Sequence, residues 1–168
     1  MIQIVPLSRI DAAAVEALLD EAFGADRKAR TAYQMRLGTT AIAPLSFAAR
    51  DDAGRLVGTL QSWPVKLVRE EGGFDALTLV GPVAVLPDLQ RGGIGRSLMA
   101  ALIDAADRHG HDGLMMIGDP EYYGRFFGFS AEATGGWTVP GPVERHRLLA
   151  RITRPGGVAA VGTIEPNP

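Results

Sequence analysis

Glycines and arginines are concentrated in one short stretch of the chain, between an apolar segment and an amphipathic one. The stretch reads Gln90-Arg91-Gly92-Gly93-Ile94-Gly95-Arg96-Ser97. The first N–H groups of a helix have no backbone acceptors and lie at the positive end of the helix dipole. Glycines leave such N–H groups accessible to an anion, and the two arginines add positive charge. The residue types therefore predict a site for a phosphate or a diphosphate.

Two common nucleotide-binding motifs do not match this stretch. A P-loop needs Lys and then Ser or Thr directly after its second glycine, whereas Gly95 is followed by Arg96. A dinucleotide-binding motif needs Gly or Ala at the position of Leu98. A tight strand-to-helix turn that binds no ligand would also explain the glycines. The glycines alone therefore leave the ligand open.

The stretch resembles the motif Q/R-x-x-G-x-G/A of the GNAT superfamily of acetyl-CoA-dependent N-acetyltransferases. Two other segments extend the resemblance, namely the apolar lead-in from Val83 to Pro87 and the aromatic segment from Gly118 to Phe129. The aromatic segment is closest to the YhbS-like branch of the family. The order of the predicted elements also matches the family's fold along most of the chain.

The resemblance implies a binding mode for acetyl-CoA, with no metal ion. Backbone N–H groups from Arg91 to Arg96 would bind the diphosphate, and the pantetheine arm would enter a gap beside the preceding strand. The Val85 N–H would then donate to the thioester carbonyl as an oxyanion stabiliser. The cofactor-binding residues expected on this basis are Val83, Ala84, Val85, Gln90, Arg91, Gly92, Gly93, Ile94, Gly95, Arg96, Ser97 and Tyr123.

The resemblance also implies direct acetyl transfer in a ternary complex, in which an amine attacks the thioester and a thiolate leaves. Tyr123 is the first candidate for the acid that protonates the thiolate, and Tyr122 is the second. Tyr123 lies five residues before Gly128, whereas family members usually place this tyrosine four residues before the glycine. An aromatic cluster with no catalytic role would explain both tyrosines as well.

A base must remove a proton from the acceptor, because alkyl amines are protonated at neutral pH. Asp75, Asp119 and His111 are the candidates, although a turn, a helix cap and a polar loop are the simpler explanations for them. With no evident base and a shifted tyrosine, a second function stays open: a module that binds acyl-CoA without catalysis, as a sensor or a partner subunit.

The acceptor is expected to be a primary amine, in a small molecule or a peptide, because acceptor loops vary while the cofactor site stays. Gln61 and Trp63, on a long strand opposite the cofactor strand, are candidates for the acceptor site, as is the basic segment from Gly141 to Arg147. A core position for Trp63 and a solvated strand end for the segment are the simpler interpretations.

The elements that position these residues follow from apolar periodicity and turn signals. Strands are predicted at 2–5, 46–50, 56–68, 75–85, 113–117, 131–139 and 145–152. Helices are predicted from a capping box at Ser8 and Asp11 to about Gly24, from Asp26 to about Leu37, and after the glycines, with a short helix or turn at 120–126. Pro64 indicates a bulge or an edge position.

These elements predict an α/β (α+β) fold, with a mixed, mostly antiparallel central sheet and helices on both faces. Three strands joined by short turns predict a meander, and the strand–helix–strand order around the glycines predicts a parallel crossover. The family resemblance adds that this parallel strand pair is splayed. Residues 1–153 are expected to form a single N-acetyltransferase domain, and residues 154–168 a tail or a weak edge strand.

Composition narrows the function further. The chain has 168 residues, 46% of them apolar, and a net charge of −2, which does not favour a nucleic-acid-coating module. The absence of cysteine excludes disulfides, thiolate metal sites and cysteine nucleophiles. With neither a leader pattern nor an apolar stretch of about 18 residues, no membrane association and a cytoplasmic location are expected. Homodimers are common in the family, but the sequence indicates no dimer surface.

Overall fold

An eight-stranded sheet forms the centre of the computed structural model, which describes residues 1–168. The strands are β1 (Gln3–Pro6), β2 (Phe47–Arg50), β3 (Leu56–Arg69), β4 (Phe74–Val85), β5 (Gly113–Ile117), β6 (Gly136–Thr138), β7 (Leu148–Ile152) and β8 (Val161–Pro166). The helices are α1 (Ala12–Phe23), α2 (Thr31–Gln34), α3 (Ile94–Arg108) and α4 (Pro120–Phe127). No helix combines the length and the apolar character needed to cross a membrane.

The sheet follows the order β1-β2-β3-β4-β5-β7, and β8 pairs with both β3 and β6. Neighbouring strands are antiparallel except for the pairs β4–β5 and β6–β8. The meander β2-β3-β4 and the parallel crossover from β4 through α3 to β5 confirm the predicted mixed, mostly antiparallel fold class.

The parallel pair β4–β5 separates after two residue pairs. Thr78 pairs with Leu114 and Leu79 with Met115, after which β4 continues to Val85 without a partner on this side. The splay predicted from the family resemblance is therefore confirmed. It leaves a gap inside the sheet at the carboxyl end of β4, next to the glycine loop.

The long strand β3 changes partner halfway along its length. Its first half pairs with β2 and its second half with β8, while β4 runs along its other side. Pro64 lies between the two partners, where no neighbouring strand needs the N–H that proline lacks. A bulge does occur in this strand, but at Gln61, which faces two residues of β4, Gly81 and Pro82, whereas Pro64 itself pairs in regular register with Thr78.

The first 40 residues contain less helix than predicted. In α1 the apolar stripe of Val15, Leu18 and Leu19 is buried as expected, but the predicted capping box does not form, since neither side chain caps the helix. The polar helix predicted from 26 to 37 is reduced to a 3-10 turn and α2, because Arg30 between them is extended.

The last third of the chain contains shorter strands than predicted. The segment 131–139 forms only β6, and 145–147 forms a 3-10 turn before β7. Residues 161–166 form β8, which pairs with β3 and buries the Ile164 side chain, so this end of the chain contributes a strand to the sheet.

Candidate active site

The N-terminal turn of α3 presents free N–H groups to solvent. Gly93 is the N-cap, with a left-handed φ of 84° that favours glycine. The helix's first hydrogen bond runs from the Ser97 N–H to the Gly93 carbonyl at 3.0 Å. The N–H groups of Gly93, Ile94, Gly95 and Arg96 therefore donate to no backbone carbonyl. This is the arrangement that binds an anion.

The residues just before this turn complete the loop. Arg91 is exposed and adopts a left-handed φ of 76°, and its N–H is also free. Gly92 differs, because its N–H donates to the Leu89 carbonyl at 3.3 Å. The Gln90 side chain turns back and donates from Nε2 to the Val85 carbonyl at 3.4 Å. Five of the six N–H groups predicted from 91 to 96 are thus available to a ligand.

A glycine that the sequence analysis did not single out sets the position of this helix. A β-carbon on Gly58 of β3 would lie 2.9 Å from Cγ2 of Ile94 and 3.1 Å from the Ala84 carbonyl oxygen. The first turn of α3 can therefore pack directly onto the β3–β4 pair only because this residue has no side chain. A glycine within a strand is the signal for such a close approach.

The unpaired end of β4 offers hydrogen-bonding groups to the gap. The Leu86 N–H donates to the Val57 carbonyl of β3 at 3.0 Å. Because N–H groups alternate along a strand, the Ala84 N–H also faces β3, and those of Val83 and Val85 face the gap. The Ala84 side chain is buried in the core. Val83 and Val85 are thus the residues of this strand end that can pair with a ligand in the gap.

A cavity of about 960 Å³ lies beside the gap. Its walls come from β4 around Gly81, from the residues that follow β5, from α4, and from the segments 29–36 and 142–147. Val83 is part of the wall, and Val85 is not. The gap-facing N–H of Val83 is therefore the one that lies at the cavity.

Tyr122 and Tyr123 both line this cavity, and their rings contact each other edge to face with centroids 4.9 Å apart. Burial raises the pKa of the Tyr123 hydroxyl to about 12. Burial also raises the pKa of Tyr122, while the positive charge of Arg96 opposes that shift. Both hydroxyls are therefore protonated at neutral pH, as a proton donor must be.

The extra aromatic residue before Gly128 does not distort α4. The helix is continuous from Pro120 to Phe127 and ends where Gly128 adopts a left-handed φ of 76°. The Phe129 N–H then donates to the Tyr123 carbonyl at 3.3 Å, which closes the helix end in the usual way. Tyr123 lies in the cavity wall.

The two tyrosines reach different parts of the site. A β-carbon on Gly95 would lie 3.7 Å from the Tyr122 hydroxyl oxygen and 3.9 Å from Cγ2 of Val85. Tyr122 therefore lies over the glycine loop. Tyr123 instead packs against Gly118, at the end of β5.

Two of the three predicted bases lie away from the cavity. Asp75 accepts hydrogen bonds from the Arg69 guanidinium at 2.7 Å and from the Ala159 N–H at 2.9 Å, and the Arg69 bond holds its pKa below the usual range. His111 lies 3.3 Å from Thr78 Oγ1 and lines a separate pocket of about 210 Å³, where burial lowers its pKa. Both side chains have structural partners outside the cavity.

Asp119 is the predicted base that does line the cavity, although its Oδ1 also caps α4 by accepting the Glu121 N–H at 3.0 Å. Glu144, which the sequence analysis included only as part of the basic segment, is a second carboxylate in the wall. The structure contains no group of three or more His, Asp and Glu side chains placed to hold a metal ion.

The basic segment predicted for the acceptor site does line the cavity, through residues 142–144 and 147. It is joined to α2 by a hydrogen bond from Thr31 Oγ1 to the Pro142 carbonyl at 2.6 Å. Gln61 and Trp63 do not line the cavity. Trp63 supports it from behind, because its Nε1–H donates to the Gly81 carbonyl at 2.9 Å.

Comparison with known proteins identifies the family of the chain. Residues 12–129 match the model of the acetyltransferase (GNAT) family. The chain is 31% identical over 126 residues to the uncharacterized N-acetyltransferase YhbS of Escherichia coli strain K12, an alignment that covers 74% of this chain and 71% of YhbS. The family resemblance predicted from the sequence is therefore confirmed.

Solved structures show the same fold. The crystal structure of Escherichia coli YhbS in complex with CoA has a TM-score of 0.71 at 24% identity, and the match covers 99% of this chain and 89% of that one. A GNAT family acetyltransferase from Brucella melitensis, in complex with acetyl-CoA, has a TM-score of 0.67 at 24% identity, and the match covers 99% of this chain and 96% of that one. The chain belongs to the GNAT family of acetyltransferases.

Proposed function

We propose that this protein transfers the acetyl group of acetyl-CoA to a primary amine, with both substrates bound together. The observation that carries the proposal is the junction of two open hydrogen-bonding sites: five free N–H groups around the start of α3 and the unpaired end of β4. Coenzyme A has a diphosphate joined to an extended chain with two amides. The diphosphate matches the free N–H groups at the start of α3, and the amide chain matches the unpaired end of β4. The CoA-bound and acetyl-CoA-bound structures of similar proteins support the same ligand.

The loop would bind the diphosphate through the N–H groups of Arg91 and residues 93–96, with the exposed Arg96 guanidinium beside them. Gln90 and Ser97 flank the loop, and since the Ser97 N–H is used within the helix, its hydroxyl is the group left for the ligand. Tyr122, which lies over Gly95, would cover the same part of the ligand.

The strand end would bind the pantetheine arm through Val83 and Val85. Val85 is nearer to the loop, and Val83 lies two residues, or about 6.6 Å, farther along the strand. Since Val83 borders the cavity, we assign the thioester carbonyl to the Val83 N–H and a pantetheine amide to Val85. This assignment replaces the sequence-based expectation that Val85 is the oxyanion donor.

Acetyl-CoA supplies an acetyl group that is already activated as a thioester. The Tyr123 hydroxyl, protonated up to about pH 12, can deliver its proton to the departing sulfur. Asp119 and Glu144 can accept the proton of the incoming amine, directly or through water. The catalytically silent acyl-CoA-binding module is not favoured, because an acid and two proton acceptors line the same cavity.

Thiol release from acetyl-CoA, measured across a panel of amines, tests the proposal, with CoA binding measured by calorimetry in parallel. We expect turnover with at least one amine, and a Tyr123→Phe variant that keeps its affinity for CoA while kcat falls about 100-fold or more. CoA binding without turnover on any amine would favour the silent module. No CoA binding at all would refute both functions.

A further inference from the structure

One guanidinium in the cavity wall is held between two aromatic rings. The Arg36 guanidinium carbon lies 3.8 Å from the ring centre of Tyr33 and 4.0 Å from that of Trp63. Arg36 is partly buried, lines the cavity, and has no carboxylate within 4 Å. With two rings this close to its central carbon, the guanidinium has only the N–H groups that point away from the rings left to bind a ligand.

Both rings are themselves fixed. The Tyr33 hydroxyl accepts a hydrogen bond from the buried Arg27 at 2.8 Å. The Trp63 ring is tied through Nε1 to the Gly81 carbonyl, two residues before Val83. The guanidinium is therefore held in one orientation relative to the proposed thioester site, which is how a specific binding group is preorganised.

The surrounding charges favour an anion at this end of the cavity. Arg27 is neutralised by Glu16 and Asp20. Arg30, Arg36 and Arg147 also line the cavity, and none of the three forms an ion pair with a carboxylate. The carboxylates in the wall are Asp119 and Glu144, both exposed. Burial lowers the pKa of Arg36, although Tyr33 and the charge of Glu16 oppose that shift, and no carboxylate contacts the guanidinium directly. A bound carboxylate would therefore stabilise this partly buried charge.

From this arrangement we infer that the acceptor is an amino acid, whose carboxylate binds the edge of the Arg36 guanidinium while its amine faces Val83. The inference rests on the proposed acetyl transfer and specifies its substrate class. A planar guanidinium with exposed edge N–H groups matches the two oxygens of a carboxylate. Polyamines and other polycationic acceptors are disfavoured, because their extra charges would meet three arginines without ion-pair partners.

The reaction balances without any further reactant. A bond forms between the amine nitrogen and the acetyl carbon, and the carbon–sulfur bond breaks with its electron pair on sulfur. The ammonium first releases one proton to solvent, and the neutral amine then loses a second proton to Asp119, Glu144 or water as it attacks. The sulfur takes one proton from Tyr123, and the enzyme is restored when the base releases its proton to solvent and Tyr123 takes one up. The products are an N-acetylamino acid and coenzyme A.

The direct test compares each amino acid with its own carboxamide as acceptor. We expect kcat/KM to be about 10- to 100-fold higher for the carboxylate form, the usual effect of a charge-assisted hydrogen-bonded pair. The amine of the carboxamide is less basic than that of the amino acid, so a larger fraction of it is neutral and able to attack. If both forms bound equally well, the carboxamide would therefore react faster, and a preference for the carboxylate form must come from binding. An equal or better carboxamide, or an aminoalkylphosphonate that is better than the matching amino acid, would overturn the inference.

Variants link the preference to one side chain. Arg36→Met keeps an unbranched stem between the rings and removes the charge, so we expect the carboxylate-to-carboxamide ratio to fall to about one. Arg36→Lys, with a charge but no planar fork, should give an intermediate ratio. Arg9→Met, an exposed change outside the cavity, should leave the ratio unchanged. An unchanged ratio in Arg36→Met would contradict the inference.

Failure of the proposed acetyl transfer and failure of the amino-acid inference give different results. If no amine of any class releases thiol, acetyl transfer itself is refuted. If amines are acetylated with no preference for a carboxylate, the proposed function survives and the amino-acid inference fails. Because the matched acceptors are compared on the wild-type protein, a poorly folded Arg36 variant would not prevent the test.

Discussion

The Tyr123 ring lies directly against the backbone of Gly118. A β-carbon at Gly118 would be 2.7 Å from Cε2 of the ring and 2.8 Å from Cδ2, which is closer than such atoms can approach. Gly118 directly follows β5 and lines the cavity, and its N–H donates to the Arg147 carbonyl at 3.0 Å. The position of the proposed acid thus depends on a missing side chain.

Gly118→Ala should therefore impair turnover more than cofactor binding. The added methyl group displaces the Tyr123 ring, and we expect kcat to fall about 10- to 100-fold from misplacement of the hydroxyl. The affinity for CoA, measured by calorimetry, should change little. Gly135→Ala, at an exposed glycine with open space around it, is the matched control. Unchanged kcat in Gly118→Ala would argue against Tyr123 as the acid.

Burial of Tyr123 should make the folded protein less stable at high pH. The unfolded tyrosine loses its proton near pH 10, and the folded one near 12, so the free energy of unfolding falls as pH rises through this window. Between about pH 9 and about pH 11 the loss from this residue is ~1.3 kcal/mol. Urea unfolding at both values should show this extra loss in the wild type and not in Tyr123→Phe. The same loss in both proteins would contradict the assignment.

Gly95→Ala should separate ligand binding from folding. The methyl group would make ordinary contacts with Tyr122 and Val85, and alanine favours the helix, so we expect stability to be unchanged or raised by up to about 1 kcal/mol. The same methyl group occupies the mouth of the loop, so the Kd for CoA should rise about 10-fold or more, as measured by calorimetry. An unchanged Kd would mean that the diphosphate binds elsewhere.

Arg27→Met should be strongly destabilising. The Arg27 side chain is buried, contacts Glu16, and donates to Asp20 at 2.9 Å and to Tyr33 at 2.8 Å, which ties α1 to the segment before α2. Loss of these charge-assisted hydrogen bonds should lower the free energy of unfolding by about 2–3 kcal/mol, as measured with urea.

The control for this variant is Arg108→Met, which removes an exposed ion pair with Asp104 within α3. Such pairs contribute about 0.5 kcal/mol or less. The contrast between the two variants tests whether burial, rather than charge pairing in general, makes Arg27 important. Equal losses would indicate that it does not.

The sheet, α3 and the loop could be predicted because their signals are local. Alternating apolar residues, short turns and the glycines before Ile94 each act within a few residues along the chain. The family resemblance supplied the splay, which local patterns do not encode. Gly58 could have been found as well, since a glycine within a strongly apolar strand indicates close packing.

The acceptor side could be predicted only in part. The basic segment from Gly141 to Arg147 was expected there and does line the cavity. Arg36 was not, because its contacts with Tyr33 and Trp63 depend on how α2 packs against β3. The same reason explains the shortened second helix, where the ion pairs of Arg27 and the extended Arg30 override helical propensity. Asp75 was predicted as a base from its residue type alone, although Arg69, its ion-pair partner, lies only six residues away across the hairpin turn and could have been recognised.

Because β4 and β5 separate after two residue pairs, the end of β4 has backbone hydrogen-bonding groups that no other strand satisfies. The proposed ligand in that gap would supply the missing hydrogen bonds, so it would act as an extra strand and stabilise the sheet only while bound. At one hundred times its Kd it would contribute about 2.7 kcal/mol to the folded state. The thermal stability would then depend on the ligand as well as on the polypeptide. The melting temperature would rise with the fraction of protein molecules that have the ligand bound.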